Sequence, residues 1–320
     1  MHQTEIVNLD DLVPESHNYR KFIKIWSFQY VSKRLKGLEK DNGYQGYGLL
    51  RLFKCLLLQF MEDLSDRELE RYIQENNVAK WFCGFSLTES TPDYTVFTKI
   101  RKKIGTHELS KIFSDLRVQL KQRGLMSETF SFVDATHLIA KASLWEERDE
   151  AIKKKYEKLN NEVLPKVAHD VQARIGCKGK KKFWYGYKKH VSVDMQSGLI
   201  NKVAITKANV TDAEGLSHVC PDQGGIYADK AYCVEPAKRA AAKKGCHLAA
   251  PKKKNMHDKN KDQDRWFTKI RAPYERVFSH QGKRVRYVGI AKNQFAGFMQ
   301  ALAFNLKRLV ALDLPNLCLS

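Results

Sequence analysis

Residues 183–212 read FWYGYKKHVSVDMQSGLINKVAITKANVTD. Two runs rich in Val, Ile, Tyr and Thr flank Gln196, Ser197 and Gly198, an arrangement that predicts a β-hairpin. Downstream, residues 212–219 predict a short helix and GGIYAD (224–229) a strand. EPAKRAAAKKG (235–245) predicts a helix stopped by Gly245, and CHLAAP (246–251) one more strand. Upstream, ETFSFVDAT (128–136) predicts a strand with Phe130, Phe132 and Val133 turned inward. The order strand, hairpin, helix, strand, helix, strand, helix predicts an α/β fold, a mixed sheet with flanking helices.

Residues 138–176 interrupt this order with the composition of a charged surface helix, and predict an insertion. FAGFMQALAFNLKRLVAL (295–312) predicts an amphipathic core helix. The polar stretch holding Asp258, Asp262 and Asp264 predicts a loop, with a helix starting near Pro273. Residues 1–125 predict helices only. LSDRELERYIQEN places Ser65 three residues before Glu68, a capping-box spacing, and THELSKIFSDLRVQLKQRG puts Leu109, Ile112, Phe113, Leu116 and Leu120 on one face. No sharp helix-turn-helix signature stands out. The expected organisation is an all-α domain over 1–125 and an α/β domain over 126–320.

The chain carries 56 Lys+Arg against 36 Asp+Glu, a formal charge of +20, which favours a polyanionic partner and DNA first among them. The most apolar stretch, LLRLFKCLLLQFM (49–61), is shorter than the roughly 20 residues a bilayer span needs. The N-terminus lacks a signal-peptide pattern. Seven scattered cysteines without a CxxC pair fit a reducing cytoplasm rather than a disulfide framework or zinc finger. No P-loop, GxGxxG or HExxH motif supports nucleotide use or zinc proteolysis.

Three acids stand in contexts suited to metal-dependent phosphodiester chemistry: Asp134 in TFSFVDATHL, Asp229 in GGIYADKAY and Glu275 in RAPYERVF. Such chemistry is run with two divalent cations roughly 3.5–4 Å apart, held by carboxylates that converge at one edge of a rigid sheet. Mg²⁺ is the expected pair of ions, because it is hard and prefers carboxylate and phosphate oxygen, with Mn²⁺ able to substitute. Cations and aromatics interleave nearby in a candidate DNA track of Lys180, Lys181, Lys182, Tyr185, Lys188 and Lys189. Lys230, Arg271, Lys283 and Arg284 extend it, and Trp145 is a candidate for stacking on a displaced base.

Together these segments, with LVPESHNYRK, LLQFMEDLSDRELE, ASLWEERD, KANVTD and KRVRYVGIAKNQF, resemble the DDE transposases of bacterial insertion sequences, of the insertion-sequence-five type. The resemblance covers nearly the whole chain. It implies an RNase H-like catalytic domain in which Asp134, Asp229 and Glu275 are the first, second and third acids. It also implies Mg²⁺-dependent cleavage at the element's terminal inverted repeats and strand transfer of the 3′-hydroxyl ends into target DNA. A homodimer is expected on DNA, since two ends must be held at once, in the bacterial cytoplasm and at the nucleoid. Related families carry Tyr, two residues, Arg, three residues, Glu, six residues, Lys around the third acid. Here Arg271 and Glu275 keep their spacing, while Thr268 and Gly282 stand at the Tyr and Lys positions, with Lys283 next in line. A structure-specific nuclease of the same sheet type and an inactive DNA-binding derivative are the alternatives, separable by strand-transfer products and by metal-dependent cleavage.

Overall fold

The computed structural model describes residues 8–39, 46–140, 144–154, 160–179, 182–253, 256–257, 260–279, 284–312 and 319; the side chains of 144–148 and 275–279 lie outside it. It divides into two units, one of residues 1–122 with 298–320 and one of 123–297.

The first unit is helical: α1 (Asn18–Ile25), α2 (Gln29–Lys36), α3 (Leu49–Met61), α4 (Asp66–Glu75), α5 (Asn77–Cys83) and α6 (Tyr94–Gln122). The capping box at the start of α4 forms, with Ser65 accepting from the Glu68 amide. α6 joins the basic segment and the THELSKIF helix across Gly105, whose φ of 67° breaks the helical path. α3 is buried along nearly its whole length among Trp26, Phe28 and Phe82. The chain end belongs here as well. Phe298 packs its ring 5.6 Å from Phe113, and the Ser27 amide bonds Leu319 O at 3.0 Å. The expected division placed this end in the α/β domain; an amphipathic pattern shows that a helix is buried but not against what.

The second unit is built on β1 (Phe130–Ile139), followed by α7 (Leu144–Lys153), α8 (Leu164–Val167) and β2 (Arg174–Lys178). The hairpin is β3 (Lys182–Asp194) and β4 (Ile200–Lys207). Then come α9 (Asp212–Val219), β5 (Gly225–Ala228), α10 (Glu235–Ala242), β6 (His247–Ala249) and α11 (Lys261–Ser279), before α12 (Ile290–Ala311), which leads into the first unit. β3 pairs antiparallel with β1 on one edge and with β2 and β4 on the other. β5 adds to β1 in parallel, and β6 to β5. The sheet order is therefore β2-β3-β1-β5-β6 with β4 beside β3.

Four local expectations differ from this structure. Phe130 is 51% exposed at the sheet end, while Phe132 and Val133 are buried. The insertion is shorter than 138–176, because β1 runs to Ile139 and the basic tract from Arg174 forms the unforeseen β2. It is also no free surface helix: Ala151, Leu164, Val167 and Ala168 pack with Tyr185, Tyr187 and Ile205. Asp170 anchors it, accepting from the Tyr187 hydroxyl at 2.7 Å and from the Gly289 amide at 3.1 Å. Finally, α11 starts twelve residues before Pro273, and Asp262 and Asp264 lie in its first turn rather than in a loop.

Candidate active site

β1 and β5 lie side by side and parallel, with Val133 opposite Ala228, so the next residue on each strand is an aspartate. Asp134, in mid-β1 opposite Val191 of β3 rather than at the strand's end, and Asp229, just past the end of β5, are therefore cross-strand neighbours, one strand spacing (about 4.8 Å) apart. Each carboxylate is set by a local contact. Asp134 accepts from the Ala135 amide at 2.8 Å, and Asp229 caps the 3₁₀ turn Lys230–Tyr232 by accepting from the Ala231 amide at 2.7 Å. Burial, then the repulsion of Asp229 and Asp212, pushes the Asp134 carboxyl up to about 6.

α11 lies across β1 and β5. Phe267 meets Tyr227 at 6.1 Å, Tyr274 meets Phe132 at 6.1 Å, and the Arg271 guanidinium stands 5.9 Å from the Phe132 ring. Tyr274 also donates to Met195 O. Glu275 follows Tyr274 in the helix, one turn after Arg271; its side chain lies outside the described residues.

The expected DNA-contact residues separate into groups. Lys182, Lys230 and Arg284 are exposed, and Arg271 is partly so. Tyr185 is 5% exposed and donates its hydroxyl to Asp170 O at 2.7 Å, so its ring belongs to the core and not to a stacking surface. Lys189 is 1% exposed, and burial lowers its ammonium to about 7. Lys188 is spent on an ion pair with Asp212 at 2.8 Å. Period-two alternation could not have placed these three, because β3 is buried on both faces over Tyr185–Asp194. Lys180, Lys181 and Lys283 lie outside the described residues, as does the side chain of Trp145 on α7.

Asp212 and Tyr232 are the residues sequence reasoning missed. Asp212 opens α9 beside the Thr211 capping box, where an acid reads as an ordinary helix start. Tyr232 reads as a core aromatic. Among the described residues no three His, Cys, Asp or Glu side chains form a ready metal cluster. The donor set nonetheless suits a hard divalent cation. Asp134 is held beside Asp229 in a place that resists its charge, and a cation is what relieves both burial and repulsion.

A family model described as Transposase DDE domain matches residues 127–306, and one described as Transposase domain (DUF772) matches residues 7–103. The chain belongs to the DDE transposases. The transposase is thus a metal-dependent polynucleotidyl transferase whose substrate is DNA, and its mixed sheet is the RNase H-like fold of that domain. Members of this family generally use divalent metal ions. Among the described residues no helix is long and apolar enough to cross a membrane.

Proposed function

We propose that the transposase cleaves DNA at the terminal inverted repeats of its own insertion sequence and joins the freed 3′-hydroxyl ends to target DNA. Asp134, Asp229 and Glu275 would hold two Mg²⁺ ions, with Mn²⁺ able to substitute. The observation that carries the reading is the emergence of Asp134 and Asp229 from neighbouring parallel strands. Bound there, the cations supply Lewis-acid stabilisation at the scissile phosphate and ease deprotonation of the attacking hydroxyl.

The protein's own residues do the rest. The neighbouring strands β1 and β5 hold the two aspartates at fixed separation, so the cost of bringing like charges together is met by folding. Lys230, one residue past Asp229 and exposed, is placed to take a phosphate near the reacting bond. Lys182 and Arg284 supply further exposed cations for the duplex backbone. α11 carries Glu275 along the same sheet, braced through Phe267, Arg271 and Tyr274. Two element ends must be held for joining, so the transposase acts as a homodimer on DNA.

The test uses labelled DNA from both flanks of the gene, incubated with Mg²⁺ and either the full-length protein or Asp229→Ala. Nicks at matching inverted ends, followed by joined products and absent from the variant, are expected. Cleavage without joining would make the protein a nuclease, and cleavage by the variant would remove Asp229 from the site.

A further inference from the structure

Tyr232 is fully buried, and its hydroxyl has no hydrogen-bond partner among the described residues. Leaving such a group unpaired is costly, so its persistence calls for a partner supplied by the working state. The ring packs among the chain neighbours of three acids. It shares one core cluster with Val133, Ala228 and Ala213, the immediate neighbours of Asp134, Asp229 and Asp212. The charges of Asp134, Asp212 and Asp229 all oppose ionisation of the phenol, after burial itself, so it stays a proton donor. The same 3₁₀ turn that Asp229 caps carries Tyr232, which fixes the spacing of the two.

Asp212 approaches from α9. Its carboxylate is half-exposed and pinned at 2.8 Å by Lys188, which is almost fully buried and lies opposite His137 across the β1–β3 ladder. In the present rotamers Asp134 and Asp229 spend an oxygen on the amides of Ala135 and Ala231, close in their own chain.

We propose that Tyr232 is a positioning residue of the catalytic centre, its hydroxyl donating to the Asp134 carboxylate when that group turns to a divalent cation, with the Lys188-fixed Asp212 as a further acid of the cation site. This rests on the assignment of Asp134 and Asp229 as cation ligands. Carboxylates that bind metals are themselves hydrogen-bonded, and losing such an outer partner typically lowers metal affinity by about 10–100-fold.

The experiment is calorimetric titration of Mn²⁺ into the full-length, DNA-free protein, with thermal melts of the same samples. Tyr232→Phe keeps the packed ring and removes only the unpaired oxygen. It is expected to melt no lower than the parent without cation, yet to bind Mn²⁺ about tenfold more weakly. Asp212→Asn keeps the helix start and is expected to weaken Mn²⁺ in the same direction. Unchanged Mn²⁺ affinity in Tyr232→Phe, whatever its melting temperature, would overturn the role of the hydroxyl; the same result in Asp212→Asn would remove Asp212. Asp134→Asn is the control that separates the two levels. If it too binds Mn²⁺ like the parent, the underlying ligand assignment fails rather than this inference alone.

Discussion

Asp134 lies in mid-β1 with Asp229 one strand away, and burial pushes the Asp134 carboxyl up to about 6 from an ordinary 3.8. A raised carboxyl means that the folded chain prefers the protonated acid. Its contribution to stability is therefore fully present below about pH 4 and is lost as pH rises through about 6. At pH 7 without cation, the ionised group costs the fold about 3 kcal/mol. Asp134→Asn should then raise the melting temperature by a few degrees at pH 7 and leave it unchanged at pH 4, while abolishing cleavage. Calorimetric melts at the two pH values check this, and an equal shift at both would refute the electrostatic account. Mn²⁺ should reverse the ranking at pH 7, because only the parent gains from the cation. At this scale the strands that carry Asp134 and Asp229 were legible in the sequence, since an aromatic, β-branched run is a recognisable pattern, and the structure makes them neighbours. Tyr232 was not, because burial and an absent partner are properties of packing.

α9 is the element that brings Asp212 to the centre, and its seat is tight. A Cβ on Gly215 would stand 2.0 Å from the ring of His190, itself fully buried on β3 and bonded to the Thr206 hydroxyl at 2.9 Å. Gly215→Ala must therefore lift α9 away from β3 or displace the imidazole. A loss of about 1–3 kcal/mol in urea unfolding is expected, as for other overpacked cores. The shift would also part Asp212 from Lys188, so Mn²⁺ affinity should fall with stability; a fully stable variant would mean that the helix has another place to sit. Elements with strong local signals were foreseen: the hairpin by its turn and α10 by its Gly245 stop. The misread ones lacked such signals. β2 is a short edge strand inside a lysine-rich tract, and only its pairing with β3 makes it a strand. The first turn of α11 is charged and exposed, so its helicity rests on aromatics further along that pack on Phe132 and Tyr227.

For the whole molecule the governing quantity is the formal charge of +20. An excess of cations of this size attracts the DNA backbone. Not all the positive charge is available. Lys188 and Arg101 are held in pairs with Asp212 and Asp66, and Lys189 is buried. Composition alone overstates the DNA-facing surface for that reason; it gave the sign and the partner, and only the structure sorts which lysines reach solvent. For a footprint of roughly 6–10 phosphates, affinity should drop by about 10³–10⁵ between 50 and 200 mM salt. Fluorescence anisotropy with labelled duplex, with Ca²⁺ present to permit binding without cleavage, measures the slope. Lys230→Ala should reduce that slope by about one phosphate, and Lys189→Ala should leave it unchanged because its ammonium never reaches the duplex. A slope equally sensitive to both would show that Lys189 becomes exposed when DNA binds. A flat salt response in the parent would mean that the charge serves something other than the phosphate backbone.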